Sequence, residues 1–216
     1  MKKLLVSMTG ALLMLLGTNA YAQLTLGDAS WTAGGGFATF SMAGSQAEKI
    51  TNLGKKINNM PGFFFGASLD YAFSTIDGLT VEPGAYIYHF GKSYVFGVSE
   101  DKKEKSYHAN YLGIPVNIKY AFPMNNPAFG LAVFTGPRFN LGLGGSMFSK
   151  GKTYPGLFPI EAQWGVGLAA TIQEAFVLKV SYDTGLTKAV RDNNDLGFDD
   201  VKAHRNTVSV GAFFAF

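Results

Sequence analysis

The segment IEAQWGVGLAATI, residues 160–172, decides the fold. Its even positions are Ile160, Ala162, Trp164, Val166, Leu168, Ala170 and Ile172, and its odd positions are Glu161, Gln163, Gly165, Gly167, Ala169 and Thr171. One face is apolar and the other small or polar. That period of two belongs to a long β-strand whose faces meet opposite environments.

The same alternation recurs along the chain. Phe63, Phe65, Ala67, Leu69, Tyr71 and Phe73 oppose Phe64, Gly66, Ser68, Asp70 and Ala72; Leu79, Val81, Ala85 and Ile87 oppose Thr80, Glu82, Gly84, Tyr86 and Tyr88. Leu112, Ile114, Val116, Ile118 and Tyr120 oppose Tyr111, Gly113, Pro115, Asn117 and Lys119. Phe129, Leu131, Val133, Pro137, Phe139 and Leu141 oppose Gly130, Ala132, Gly136, Arg138 and Asn140. Near the end, Phe176, Leu178, Val180 and Tyr182 oppose Lys179, Ser181 and Asp183, and Val208, Val210, Ala212, Phe214 and Phe216 oppose Thr207, Ser209 and Gly211. In the first strand, about Trp31 to Met42, Trp31 and Phe37 lie on one parity and Phe40 and Met42 on the other. A bulge is expected there.

Connection lengths separate a membrane barrel from a soluble sandwich. Long segments follow strands one (Ala43 to Met60), three (Gly91 to Ser106), five (Gly144 to Phe158) and seven (Lys188 to Ala203). Short ones follow strands two (Ser74 to Gly78), four (Pro123 to Pro127) and six (Gln173 to Ala175). An antiparallel up-and-down transmembrane β-barrel with short periplasmic turns, long extracellular loops and an even strand number has this rhythm. A Greek-key sandwich does not. Strands of roughly 11 to 15 residues also exceed the soluble norm of about 5 or 6 and suffice for a tilted crossing. The expectation is an all-β, eight-stranded barrel.

The N-terminus sets the compartment. Lys2 and Lys3 precede an apolar run from Leu4 to Leu16 and the small-residue pattern Ala20-Tyr21-Ala22. This is a secretory signal peptide with cleavage after Ala22, because the run is shorter than the roughly 18 residues of a spanning helix. The division expected is signal peptide 1–22, a short periplasmic segment 23–30 and the barrel 31–216. With no cysteine in the chain, a lipoprotein anchor, disulfides and thiolate metal sites are excluded. The formal charge of +3 falls once Lys2 and Lys3 are removed, so no basic surface for nucleic acid remains. With 27 Gly, 19 Phe and 10 Tyr but only 15% charged residues, the composition is that of a membrane protein; without apolar helical runs, the closed barrel is the remaining way to satisfy the backbone in lipid.

Tyr111-Leu-Gly-Ile-Pro-Val-Asn-Ile-Lys-Tyr120 resembles the YLxIPLxxKY strand of the PorT-like outer-membrane β-barrel proteins of Bacteroidota. Thr135-Gly-Pro-Arg138 resembles the GP of that family's fifth strand, and Val180-Ser-Tyr-Asp-Thr-Gly-Leu-Thr187 its xRYxxGLTN. The resemblance implies an eight-stranded barrel of a Gram-negative outer membrane without cofactor, some relatives serving protein secretion; it carries no catalytic residue. The chain departs from it at Gly113, where the family usually has Glu. Separately, Ser209, Gly211, Phe214 and Phe216 in the final strand resemble the signal that the barrel-assembly machinery reads.

Charged residues on the inward parities are Asp70, Glu82, Glu161 and Asp183 with Lys119, Arg138 and Lys179. An eight-stranded interior is just wide enough for side chains to fill, and buried charges pair, so these residues are expected to form a closed polar network. His89, His108 and His204 fall near the outer ends of their strands. They offer a general base or a metal ligand, but no nucleophile spacing and no HExxH accompany them, and His89 and His108 lie on the lipid parity, where interfacial rings belong. Asp192-Asn-Asn-Asp195 and Asp199-Asp200 supply oxygen ligands without EF-hand spacing and read as a solvated acidic loop. Glu100-Asp-Lys-Lys-Glu-Lys105 reads as a hydrated hairpin tip, and Ser45-Gln-Ala-Glu48 with Ile50, Leu53 and Ile57 as a capped short helix. Gly34-Gly-Gly36 and Gly165-Val-Gly167 lack the Lys-Ser/Thr of a phosphate loop. The expected role is non-enzymatic, with loops presented for binding or assembly and with membrane lipid, the assembly machinery and a protein partner as contacts. A secretion accessory, a narrow passive pore and an outer-membrane hydrolase or acyltransferase are the alternatives.

Overall fold

The computed structural model describes residues 26–43, 60–73, 76–96, 103–125, 128–149, 152–155, 160–189 and 203–216. The expected signal peptide, the expected capped helix of the first loop and the acidic 192–200 stretch lie outside the described residues, as do residues 100–102 of the expected hairpin tip.

Among the described residues the strands are β1 (Leu26–Ala43), β2 (Met60–Phe73), β3 (Leu79–Phe96), β4 (Lys103–Ala121), β5 (Phe129–Ser149), β6 (Lys152–Pro155), β7 (Glu161–Ile172), β8 (Phe176–Gly185) and β9 (His204–Ala215). β6 is a four-residue strand paired with the end of β5. The other eight form the barrel. Each pairs antiparallel with its neighbour, and β9 returns to β1. At the seam, Trp31 N donates to Phe216 O at 3.0 Å and Phe216 N to Trp31 O at 2.9 Å. Closure leaves no sheet edge exposed to lipid.

The outward face is apolar: Phe37, Phe63, Phe65, Ile118, Val166, Leu168, Val210 and Phe214 are all exposed. Most inward positions are buried and the rest half-buried. Aromatic rings fill the end of the long connections, where Phe40 meets Phe90 edge-on at 4.9 Å and Tyr88 stacks on Phe64 at 5.1 Å.

Three expectations change. β1 pairs with β2 in unbroken register from Ala29↔Tyr71 to Phe40↔Met60, so no bulge interrupts Trp31 to Met42; the register shift lies earlier, between Leu26 and Ala29. Phe40 and Met42 share the buried parity of Thr32 because aromatic rings line part of the lumen at that end. β1 also begins at Leu26, inside the 23–30 segment expected to precede the barrel, since Leu26 pairs with Phe73 of β2. Finally, the second and third long connections are largely strand. Pairing runs from Gly91↔His108 to Phe96↔Lys103 in one, and β5 reaches Ser149 and pairs with β6 in the other.

Short turns close the opposite end. Leu79 N donates to Ile76 O at 3.1 Å, and Gly78 between them has φ +78°, a left-handed backbone that glycine takes without penalty. Gln173 and Glu174 hold φ 52° and 59° in the β7–β8 turn without that help.

Candidate functional site

Period-two alternation sends one side chain of every pair into the lumen, and the eight-strand circumference brings those from opposite walls within reach. In circular order β3 and β8 are four strands apart, directly across the barrel, as are β4 and β9.

Near the short turns, Lys119 Nζ of β4 lies 2.5 Å from Asp70 Oδ1 of β2 and 3.5 Å from Glu82 Oε2 of β3. Lys179 Nζ of β8 donates to Glu82 Oε1 at 2.5 Å and stands 5.0 Å above the Phe213 ring. The Lys179–Glu82 pair therefore spans the full diameter. At mid-height Arg138 Nη1 of β5 donates to Asp183 Oδ2 at 2.6 Å, and the guanidinium lies 5.5 Å from the Tyr88 ring centre. Ser181 Oγ donates to the same Asp183 oxygen at 3.3 Å.

Towards the other end a fourth base joins. Arg205 Nε of β9 lies 3.0 Å from Glu161 Oε2 of β7. Its guanidinium is 3.9 Å from the Tyr111 ring on the opposite wall and about as far as ordinary cation–π contacts reach from Phe40 and Phe90, 5.5 and 5.6 Å. Tyr111 Oη donates to Glu161 Oε1 at 3.4 Å. Neutral hydrogen bonds fill the gaps: Asn140 Nδ2 to Gln163 Oε1 at 2.9 Å, Gln163 Nε2 to Arg205 O at 2.9 Å, and the hydroxyl pairs Thr32–Ser68 and Ser181–Ser209 at 2.7 and 2.6 Å.

All seven charged residues read from the sequence thus point inward and meet partners. Arg205 was missed. It stands on the parity of Thr207, Ser209 and Gly211, but the clear alternation begins only at Thr207, whereas the strand itself begins at His204. With Arg205 four bases balance four acids among the described residues. Between the first and second ion-pair levels a lumen cavity of about 30 Å³, lined in part by Glu82, Tyr86, Arg138 and Lys179, has room for only one or two waters.

Gly113, the departure noted above, faces this interior. A methyl group there would stand 2.8 Å from Tyr88 Cε2 and 3.0 Å from Asn140 Oδ1, so the Tyr88 ring occupies the volume a longer side chain would need. Of the final-strand residues, Ser209 and Gly211 face inward while Phe214 and Phe216 face out. Ser209 bonds Ser181, and Gly211 is packed by the Phe64 ring, whose Cζ would lie 2.8 Å from an added methyl. His89 and His108 lie on the outer wall, outside this network, and His204 Nδ1 lies 3.2 Å from Thr187 O.

The family model of an outer membrane protein β-barrel domain matches residues 8–214. No curated protein matches the chain. Among solved structures it is similar to Ail, the attachment invasion locus protein of Yersinia pestis, at 15% identity over 88% of this chain and 100% of that one, TM-score 0.48. It is also similar to Neisserial surface protein A at 14% identity, 88% and 100% coverage and TM-score 0.47. The N-terminal β-barrel domain of Pseudomonas aeruginosa OprF gives 14% identity, 87% and 97% coverage and TM-score 0.41.

Proposed function

Because the chain belongs to the outer membrane protein β-barrel domain family and is an integral outer-membrane protein, we propose that it is a closed, non-enzymatic scaffold whose wall carries binding or assembly surfaces on its longer, extracellular connections. The observation that carries this reading is the pair of contacts that cross the whole lumen, Lys179 to Glu82 and Arg205 to Tyr111. Opening a path past them separates buried charges from their partners, which is strongly unfavourable in a low-dielectric interior. The interior then does structural work, and recognition falls to the hairpins that project beyond the wall.

Two experiments test this. Purified protein in a planar bilayer is expected to show no sustained conductance, and a reproducible steady channel would overturn the closed lumen. Surface cross-linking in intact cells is expected to attach a defined protein partner through the extracellular connections; attachment to nothing but neighbouring lipid refutes the presentation role. The resemblance of residues 111–120 to PorT-like proteins of Bacteroidota favours a partner from a protein-secretion machine. Export by a signal peptide cleaved after Ala22, and recognition of Ser209, Gly211, Phe214 and Phe216 by the assembly machinery, belong to the same proposal.

A further inference from the structure

On the outer face of the wall, β3 and β4 bring two histidines together. Asn110 lies opposite His89 and His108 opposite Gly91, which makes His89 and His108 diagonal neighbours on one face. Their ring centres are 6.2 Å apart with planes 26° from parallel. Only the missing side chain of Gly91 lets both rings close on one point: a methyl group there would stand 3.0 Å from His108 Nδ1 and 3.4 Å from His89 Nε2. The two nitrogens flank one point.

The far nitrogen of His89 is already engaged, with Nδ1 2.7 Å from Asn110 Oδ1. An amide oxygen only accepts, so Nδ1 carries the proton and Nε2 keeps its lone pair on the Gly91 side. A hydrogen bond of this kind fixes tautomer and ring direction in metal-binding histidines. Phe63 holds the ring from the neighbouring strand, centres 5.1 Å apart. His89 lies ten residues beyond the start of β3 at Leu79. With a rise of about 3.3 Å per residue and a tilt of about 40°, it sits roughly 25 Å up the wall, the height of the apolar band, so it stands at the water boundary.

We propose that His89 and His108 bind a late first-row divalent cation over Gly91, Asn110 orienting His89 and water completing the coordination. Neutral imidazole suits zinc, nickel and copper ions and has little affinity for magnesium or calcium. This site is separate from the lumen network and does not depend on the lumen being closed.

The test is calorimetric titration of the full chain, folded in detergent, with Zn²⁺ in chelator-free buffer. One saturable site is expected. His89→Ala and His108→Ala should each abolish it, His204→Ala should leave it unchanged, and Asn110→Ala should weaken it by about 10- to 100-fold. Gly91→Ala keeps both rings but puts a methyl group 3.0 and 3.4 Å from their nitrogens, and should weaken binding. Retention of the folded form by each variant is checked by its heat-dependent gel mobility. A wild-type chain that does not saturate by millimolar Zn²⁺, binding that survives either histidine substitution, or full affinity in Gly91→Ala overturns the proposal.

Discussion

Replacing Arg205 with alanine isolates the most enclosed ion pair among the described residues. Both side chains of the Arg205–Glu161 pair are 2% exposed. Removing the guanidinium leaves the Glu161 carboxylate in the same place without its counter-charge, and breaking such a pair destabilises by about 3 to 5 kcal/mol. Loss of the contact with the Tyr111 ring at 3.9 Å adds about 0.5 to 2 kcal/mol. The double variant Arg205→Ala, Glu161→Ala strands no charge, so it should be more stable than Arg205→Ala by about 2 kcal/mol or more. Guanidinium unfolding in lipid vesicles measures both. The two tryptophans, Trp31 and Trp164, face the lipid at 51% and 46% exposure, so their fluorescence follows the wall leaving the bilayer. A loss under about 1 kcal/mol for Arg205→Ala, or a double variant as unstable as the sum of its singles, would refute the claim that this pair is buried and coupled.

The wall should reject charge at its lipid face: Val166→Arg, at an outward position 51% exposed, is expected to lose about 2 to 4 kcal/mol, while Thr171→Arg, inward near the short turns, loses less. Equal losses in the same unfolding assay would contradict the inward and outward assignment of β7. Glu174→Gly should stabilise by about 0.5 to 1 kcal/mol, because Glu174 holds φ 59° where glycine is unstrained; an unchanged or lower midpoint removes that reading. Deleting Phe216 removes two seam hydrogen bonds to Trp31 but only a ring that is 77% exposed, so refolding in detergent should persist while the amount assembled in cells falls sharply. Similar loss in both assays means that closure of the seam, rather than recognition of the final strand, explains the defect.

Most of the wall was legible because lipid is a uniform solvent. Every outward position from Leu112 to Ile118 or from Trp164 to Ile172 answers to the same rule, so the period of two stays clean. The lumen is not uniform, and there the binary pattern failed. Phe40 and Met42 are apolar and inward beside Met60 and Phe90, which made the first strand look bulged when its register is continuous. Hydrophilic stretches failed in the other way: Gly91 to Ser106 read as a long connection, yet backbone pairing carries β3 and β4 out to Phe96↔Lys103, because strands beyond the membrane no longer need apolar faces. The inward charges were readable from parity alone. Which acid meets which base was not, since Lys179 and Glu82 are 97 residues apart and become neighbours only through closure.

The uniform lipid face also explains what the lumen must contribute. Sliding one strand against the next by two residues returns every side chain to its own side of the wall. An outward face of Val208, Val210, Ala212 and Phe214 meets lipid almost equally well after such a slip, and discriminates weakly against it. The interior discriminates strongly. Moving β8 by two residues takes Lys179 out of line with Glu82 and Asp183 out of line with Arg138, stranding charges from two levels of the network at once. Ion pairs that contribute little net stability compared with well-packed apolar residues can still select one register in this way. The Arg205→Ala, Glu161→Ala double variant separates the two contributions, because its stability reports the energy of one pair while cross-links across Thr39↔Val208 and Tyr182↔Val208 report register. If those positions still cross-link uniquely after the Lys179–Glu82 and Arg138–Asp183 pairs have also been replaced by apolar residues, the lumen charges do not set register and packing of the aromatic rings does.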